Sequence, residues 1–99
     1  MNTVYRIYTE RRNLPELQAL VTGSFDAYTL IWATGVWRGL REQSVIVEIV
    51  TEGTIEDRAK VYELAEATRV ALEQSAVLVT EQAVSSVLIT APISGYHSS

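Results

Sequence analysis

The run SVIVEIVTE (44–52) constrains this chain more than any other stretch. It is rich in β-branched residues and apolar at almost every position. A strand with one wet face alternates apolar and polar residues. A run apolar on both parities suits a central strand in a sheet covered on both faces. Glu48 alone breaks the pattern. A lone carboxylate in such a strand needs a partner to avoid a large desolvation cost. Arg6, on the first strand, is the partner that a neighbouring position would supply. A proton-handling carboxylate is the sharper alternative.

The remaining elements arrange themselves around that strand. TVYRIYT (3–9) alternates and is β-branched and aromatic, so it reads as a strand. NLPELQALVTGSF (13–25) reads as a helix. Asn13 stands at its N-cap with Glu16 three residues on, a capping-box spacing, and Pro15 falls in the first turn. Leu17, Leu20 and Val21 form its apolar stripe, extended by Leu14 and Phe25. DAYTLIWATGVW (26–37) reads as a second strand. TIEDRAKVYELAEATRVALEQ (54–74) is the clearest helix. Thr54 caps it, Asp57 completes a near capping box, and acids fill its first turn. Val61, Leu64, Ala65, Thr68, Ala71 and Leu72 form its apolar face. SAVLVTEQAVSSVLIT (75–90) reads as a strand pair, or one long strand broken near Glu81. APISGYHSS (91–99) reads as a loose tail of turn and small polar residues.

The order is β-α-β-β-α-β. This is an α+β, ferredoxin-like split βαβ arrangement: an antiparallel sheet, two helices on one face, and an extra C-terminal strand. Ninety-nine residues make one domain, taken as 1–91 with a tail over 92–99. Two helices cover one sheet face only. Yet the second strand is apolar on both parities: Tyr28, Leu30, Trp32 and Val36 on one, Ile31, Ala33 and Trp37 on the other. Leaving either wet would expose a larger apolar patch than monomers tolerate. A homo-oligomer burying the open face is expected.

Composition narrows function by exclusion. With 8 basic against 12 acidic residues the net charge is −4, opposite to what replaces phosphate counterions, so nucleic acid is not expected as a partner. No cysteine and one histidine, His97, leave no metal cluster of usual spacing, no thiol nucleophile and no serine–histidine–aspartate set. No cofactor is expected. No apolar run approaches the ~20 residues that span a bilayer, and MNTVYRIYTE does not resemble a secretory leader. A cytoplasmic, membrane-free protein follows as the expectation.

Candidate chemistry concentrates in ATGVWRGLREQS (33–44), taken as a loop of about ten residues joining the second and third strands. Trp37, Arg38, Arg41 and Glu42 have two readings. They form a cleft in which the forked guanidinium donors hold an anion and the indole stacks on a ring. Or they are interface anchors between subunits, where Trp and Arg are common. Thr34 and Gly35 make a close-approach turn beside a ligand, or relieve crowding where the strand bends. Gly39 belongs to the same element. Glu10, Arg11 and Arg12 precede a helix N-terminus, where anions bind, or form a solvated turn.

With element order and loop together, the chain resembles the PII-like proteins, the superfamily that also holds the CutA proteins. The resemblance covers about residues 3–84. It lies in the topology, in the turn ATG, in Trp37-Arg38-Gly39 at the place of an aromatic–basic–glycine element, and in Val47-Glu48-Ile49-Val50 for a KIEIV-like strand. It implies a trimer with small-ligand clefts between subunits, a sensing or adaptor role, and as ligand a small anion or a nucleotide, with a protein partner conceivable. Thr34, Gly35, Trp37, Arg38, Gly39, Arg41 and Glu42 are the ligand-binding candidates. Two departures stand out. The long effector loop is missing, as in CutA. ALEQSAVLV (71–79) carries neither glycine nor lysine where PII proteins have a phosphate loop, and backbone N–H groups approach phosphates closely only at such permissive positions. Two other readings stay open: a small ferredoxin-like enzyme, of monooxygenase or isomerase type, holding substrate over the sheet, and a purely structural oligomer.

Overall fold

The computed structural model describes residues 1–92. Residues 93–99, which hold His97 and nearly all of the expected tail, lie outside the described part. The elements run β1 (Asn2–Glu10), α1 (Leu14–Ser24), β2 (Thr29–Trp37), β3 (Leu40–Thr51), α2 (Ile55–Ala71) and β4 (Leu78–Val84). All four strands pair antiparallel in the order β2-β3-β1-β4. This is the α+β, ferredoxin-like arrangement that the element order implies. The run 44–52 occupies β3, a central strand, as its pattern requires.

Register sorts the side chains. Tyr5 opposes Ile49 and Ile7 opposes Val47, so odd positions of β1 and β3 share a face. That face meets the helices. Tyr5, Ile7, Val45, Val47 and Ile49 pack against Leu17 and Val21 of α1 and Val61, Leu64 and Ala65 of α2. All are essentially buried, each contributing roughly 1.5–3 kcal/mol for a full-sized side chain. Of the helix stripes expected from spacing, Leu17, Val21, Val61, Leu64, Ala65, Thr68 and Leu72 are buried, while Leu14, Leu20, Phe25 and Ala71 are partly buried. The other face carries Arg6 opposite Glu48, with Nε donating to Oε2 at 2.9 Å. The expected Arg6–Glu48 pair is therefore present, half-buried on the face without helices.

Four local expectations change. Asn13 does not cap α1: its backbone is left-handed (φ 46°), and its amide donates to Glu16 Oε2 at 2.7 Å instead of its oxygen accepting an amide. The helix expected to run to 74 ends at Ala71, because Glu73 turns left-handed (φ 54°) and closes a Schellman motif, Gln74 N–H to Arg69 C=O at 2.9 Å and Glu73 N–H to Val70 C=O at 3.2 Å. The freed Gln74 side chain then folds inward, donating to Thr9 Oγ1 and accepting from Glu10 N–H, which satisfies β1 beyond the reach of β4. The strand shows no break at Glu81: β4 runs unbroken through it. The extra C-terminal strand is not formed by residues 85–92, which lie in no helix or strand.

The helix α2 is capped as its sequence directs. Thr54 Oγ1 accepts from Asp57 N–H at 3.1 Å, and Asp57 Oδ2 accepts from Thr54 N–H at 3.3 Å. The residue before it, Gly53, has φ 77°, and a Cβ there would stand 2.5 Å from Thr3 Oγ1. Glycine is favoured at this entry into the helix, since any Cβ meets both a left-handed dihedral and Thr3.

Candidate functional site

The stretch 33–44 is not a loop. β2 continues to Trp37, β3 begins at Leu40, and the connection is two residues, Arg38 (φ 49°) and Gly39 (φ 79°). Consecutive positive φ values define the hairpin turn whose twist matches antiparallel strands. The reading as a loop missed this because the usual Asn-Gly or Asp-Gly signal is absent and Arg38 takes the left-handed position at a steric cost.

β1 pairs with β3 only over Ser44–Thr51, whereas β2 follows β3 out to Leu40. The segment 34–43 is thus a two-stranded ribbon projecting past the four-stranded sheet. Strand alternation divides its side chains. Gly35, Trp37, Leu40 and Glu42 lie on the sheet's open side, and Thr34, Val36 and Arg41 on the helix side. Trp37, Val36 and Leu40 are all about two-thirds exposed or more.

The structure therefore brings some of the candidates together and separates others. Arg38 stands 5.4 Å from the Trp37 ring centroid, in cation–π range. Gly35 opposes Glu42 without a bulge, and a Cβ at Gly35 would meet Ser44 Oγ at 2.8 Å, so glycine relieves cross-strand crowding here. Arg41 points to the opposite face from Trp37 and Glu42. Arg11 stacks on Trp32 at 5.3 Å, and Arg12 is paired with Glu10.

Two features were not legible in the sequence. A cleft of about 340 Å³ lies where β3 meets both helices, lined by Phe25, Asp26, Val50, Glu52, Asp57 and Lys60. On the other side, where α2 meets β4, Arg58, Tyr62 and Glu81 form a closed cluster. Arg58 Nε donates to Tyr62 Oη (3.0 Å) and to Glu81 Oε1 (3.2 Å), and Tyr62 Oη donates to Glu81 Oε1 at 3.0 Å. The Tyr62 hydrogen bond and the Glu81 charge raise the pKa of the Arg58 guanidinium further. Tyr5, cross-strand from Glu81 and buried, has its pKa raised, first by burial and then by the Glu81 charge. The Arg58–Tyr62 spacing of four on a helix was the one available signal. A tyrosine hydroxyl held between a carboxylate and a guanidinium is equipped to hold or pass a proton. Beside this cluster a smaller cleft of about 210 Å³ has Ala65, Val77 and Val79 as its apolar lining, with Tyr62, Glu66 and Arg69 the polar members. Among the described residues no group of acidic or histidine side chains is placed to hold a metal, and no helix is long and apolar enough to cross a membrane.

No family model and no curated protein matches the sequence. Solved structures do match. A phage SAM lyase in complex with S-methyl-5'-thioadenosine superposes with TM-score 0.66 at 19% identity, over 82% of this chain and 80% of that one. A DUF3240 family protein from Shewanella baltica gives TM-score 0.66 at 9% identity, over 91% and 97%. The B. subtilis GlnK–ATP complex gives 0.53 at 16% identity, over 82% and 81%. At these identities the likeness shows the fold, a ferredoxin-like sandwich of the kind also built by the PII protein GlnK.

Proposed function

We propose that this protein is a PII-like homo-oligomer, a trimer in the simplest form, that binds an adenosine-bearing small molecule in clefts between its subunits and acts as a sensor or adaptor in the cytoplasm. The observation that carries the reading is the uncovered sheet face. Tyr8, Ile31, Ile46, Val50 and Leu78 lie on it by register, with Val50 and Leu78 more than half exposed. The ribbon adds Trp37 and Leu40 to the same side. Tyr8, Ile31, Ile46 and Leu78 adjoin one another, with Val50 beyond the Arg6–Glu48 pair, and an apolar patch of this kind supports an interface. The ligand class is supported by two proteins of like fold, one holding S-methyl-5'-thioadenosine and one ATP. The missing phosphate loop at 71–79 favours the nucleoside part over a polyphosphate tail. Trp37 and Arg38, stacked at the ribbon tip, are the groups that would meet a purine brought against a neighbouring subunit.

Sedimentation equilibrium and a thermal-shift panel test this. The protein is expected to be an oligomer, and S-methyl-5'-thioadenosine or S-adenosylmethionine to raise the melting temperature. A ligand at 100 times its Kd stabilises by about 2.7 kcal/mol. A monomer, or an unmoved melting temperature with every adenosine compound, overturns the reading.

A second reading, an enzyme acting on S-adenosylmethionine, is favoured by the Arg58–Tyr62–Glu81 cluster and by the likeness to the SAM lyase. Tyr62 Oη would relay to Glu81 the proton lost from the carbon next to the sulfonium-bearing one, as a carbon–carbon double bond forms and the carbon–sulfur bond breaks with its electron pair leaving on the thioether sulfur. Chromatographic detection of S-methyl-5'-thioadenosine from S-adenosylmethionine, abolished in Tyr62→Phe, separates it from sensing alone.

A further inference from the structure

Among the described residues, two parts of the chain are left without partners. The first is the outer edge of β2. It is an end strand of the sheet, so the outward N–H and C=O groups of Thr29–Trp37 have no strand beside them among the described residues. Natural sheets protect such edges with lysine, proline, bulges or brevity. TLIWATGVW has no charge and no proline, runs nine residues, and stays in unbroken register with β3. The second is Val87-Leu88-Ile89. These three consecutive aliphatic residues are 81%, 86% and 87% exposed and lie in no element. Their composition is that of a strand. Where they leave the sheet is fixed: Val84 opposes Asn2 at the end of β4, and Asn2 Nδ2 donates to Ser86 Oγ at 2.6 Å. The run therefore departs from the edge opposite β2, with β1 and β3 between them.

We propose that residues 86–90 add as a fifth strand to the outer edge of β2 in a second copy of this chain. The proposal rests on the homo-oligomer reading above and specifies how its subunits join. One copy carries both the donor and the acceptor, so each contact answers one unpaired edge with one unpaired strand. Neither segment carries charge, so the net charge of −4 sets up no repulsion where they meet. The edge presents Ile31 on one face and Trp32 on the other, both exposed. Either facing of the added strand thus places Leu88, or Val87 and Ile89, against an apolar neighbour. The contact is head-to-tail, so it propagates around a ring and closes when the rotation allows. Pairing of two β2 edges with each other would leave Val87–Ile89 bare.

The absence of cysteine makes the test clean. Leu88→Cys and Ile89→Cys are each combined with Ile31→Cys and oxidised mildly. At least one combination is expected to give subunits bonded into chains longer than a dimer, which neither single variant gives. Leu88→Asp, at a position too exposed to matter for folding, is expected to leave circular dichroism unchanged and to raise the subunit dissociation constant about thirtyfold or more, as loss of a buried apolar anchor does. A chain ending at Ser85 that associates as tightly as the full chain overturns strand donation while leaving the oligomer intact. A covalent dimer from Ile31→Cys alone overturns it in favour of edge-to-edge pairing. A monomeric full-length chain overturns both it and the oligomer reading.

Discussion

Replacing Gly53 by alanine is expected to destabilise the fold by about 2–3 kcal/mol, as the sum of two separable costs. Gly53 sits at φ 77°, which costs an L-residue roughly 1–2 kcal/mol. The new Cβ would also stand 2.5 Å from Thr3 Oγ1 and 3.3 Å from Thr3 Cβ. The hydroxyl can escape by rotating Thr3, an adjustment of about 0.5–1.5 kcal/mol. The loss should appear in urea denaturation as a lower midpoint with an unchanged slope, since the surface exposed on unfolding is the same. At about 4–8 °C per kcal/mol for a domain of this size, the melting temperature should fall by about 10–20 °C. A double-mutant cycle separates the costs. Thr3→Ala removes the hydroxyl and should restore about 1 kcal/mol of the Gly53→Ala loss while leaving the dihedral cost in place. A loss below about 1 kcal/mol, or no coupling between the two substitutions, would refute the reasoning. The position bears on function because Gly53 sets the entry of α2, and through it Thr54 and Asp57 at the wall of the larger cleft.

Three further outcomes are expected. Thr54→Ala removes the acceptor for Asp57 N–H and should cost about 1 kcal/mol in urea denaturation. Glu73→Gly relieves a left-handed residue at the helix C-terminus and should gain up to about 1 kcal/mol, provided the Gln74 bonds to Thr9 and Glu10 persist. Tyr5 holds its proton more tightly in the folded state than at the ordinary value of 10.0; a group raised on folding contributes stability below its unfolded pKa and loses it as pH climbs through the folded one. Stability should therefore decline above pH 10 by a component that Tyr5→Phe removes, and absorbance at the tyrosinate band should show one tyrosine titrating late.

Much of the fold was legible because it is written in short-range periodicity. The unbroken apolar run 44–52 required a central strand, and β3 is one. The stripe from Val61 to Leu72 required a buried helix face. The Thr54–Asp57 spacing gave the cap, and Glu48 pointed to Arg6. Boundaries were lost where a residue adopts a conformation its type disfavours. Arg38 and Glu73 are both left-handed, and neither residue type announces a turn. Asn13 has the right identity for a cap but spends its amide on Glu16. The same local logic overextended the last strand: SSVLIT has strand composition, but among the described residues it pairs with no strand, because it leaves from the β4 side while the unpaired β2 edge lies across β1 and β3.

The candidate site was less legible for a geometric reason. Residues adjacent in a loop can converge, because a loop folds back on itself. Residues adjacent in a strand cannot, because alternation sends neighbours to opposite faces. Once 33–44 is a ribbon, Arg41 is separated from Trp37 and Glu42 however close they are in sequence. The groups that do converge, Arg58, Tyr62 and Glu81, are 4 and 19 positions apart and meet only because α2 packs over β4. It follows that the ribbon cannot enclose a ligand alone. Trp37, Arg38 and Leu40 supply one wall, and a second wall must come from another surface laid against it. The arrangement that buries the bare sheet face is also the one that would complete a pocket at the ribbon. Ligand binding and subunit association should therefore be linked: an adenosine compound that binds between subunits must tighten association by the same factor by which association tightens ligand binding.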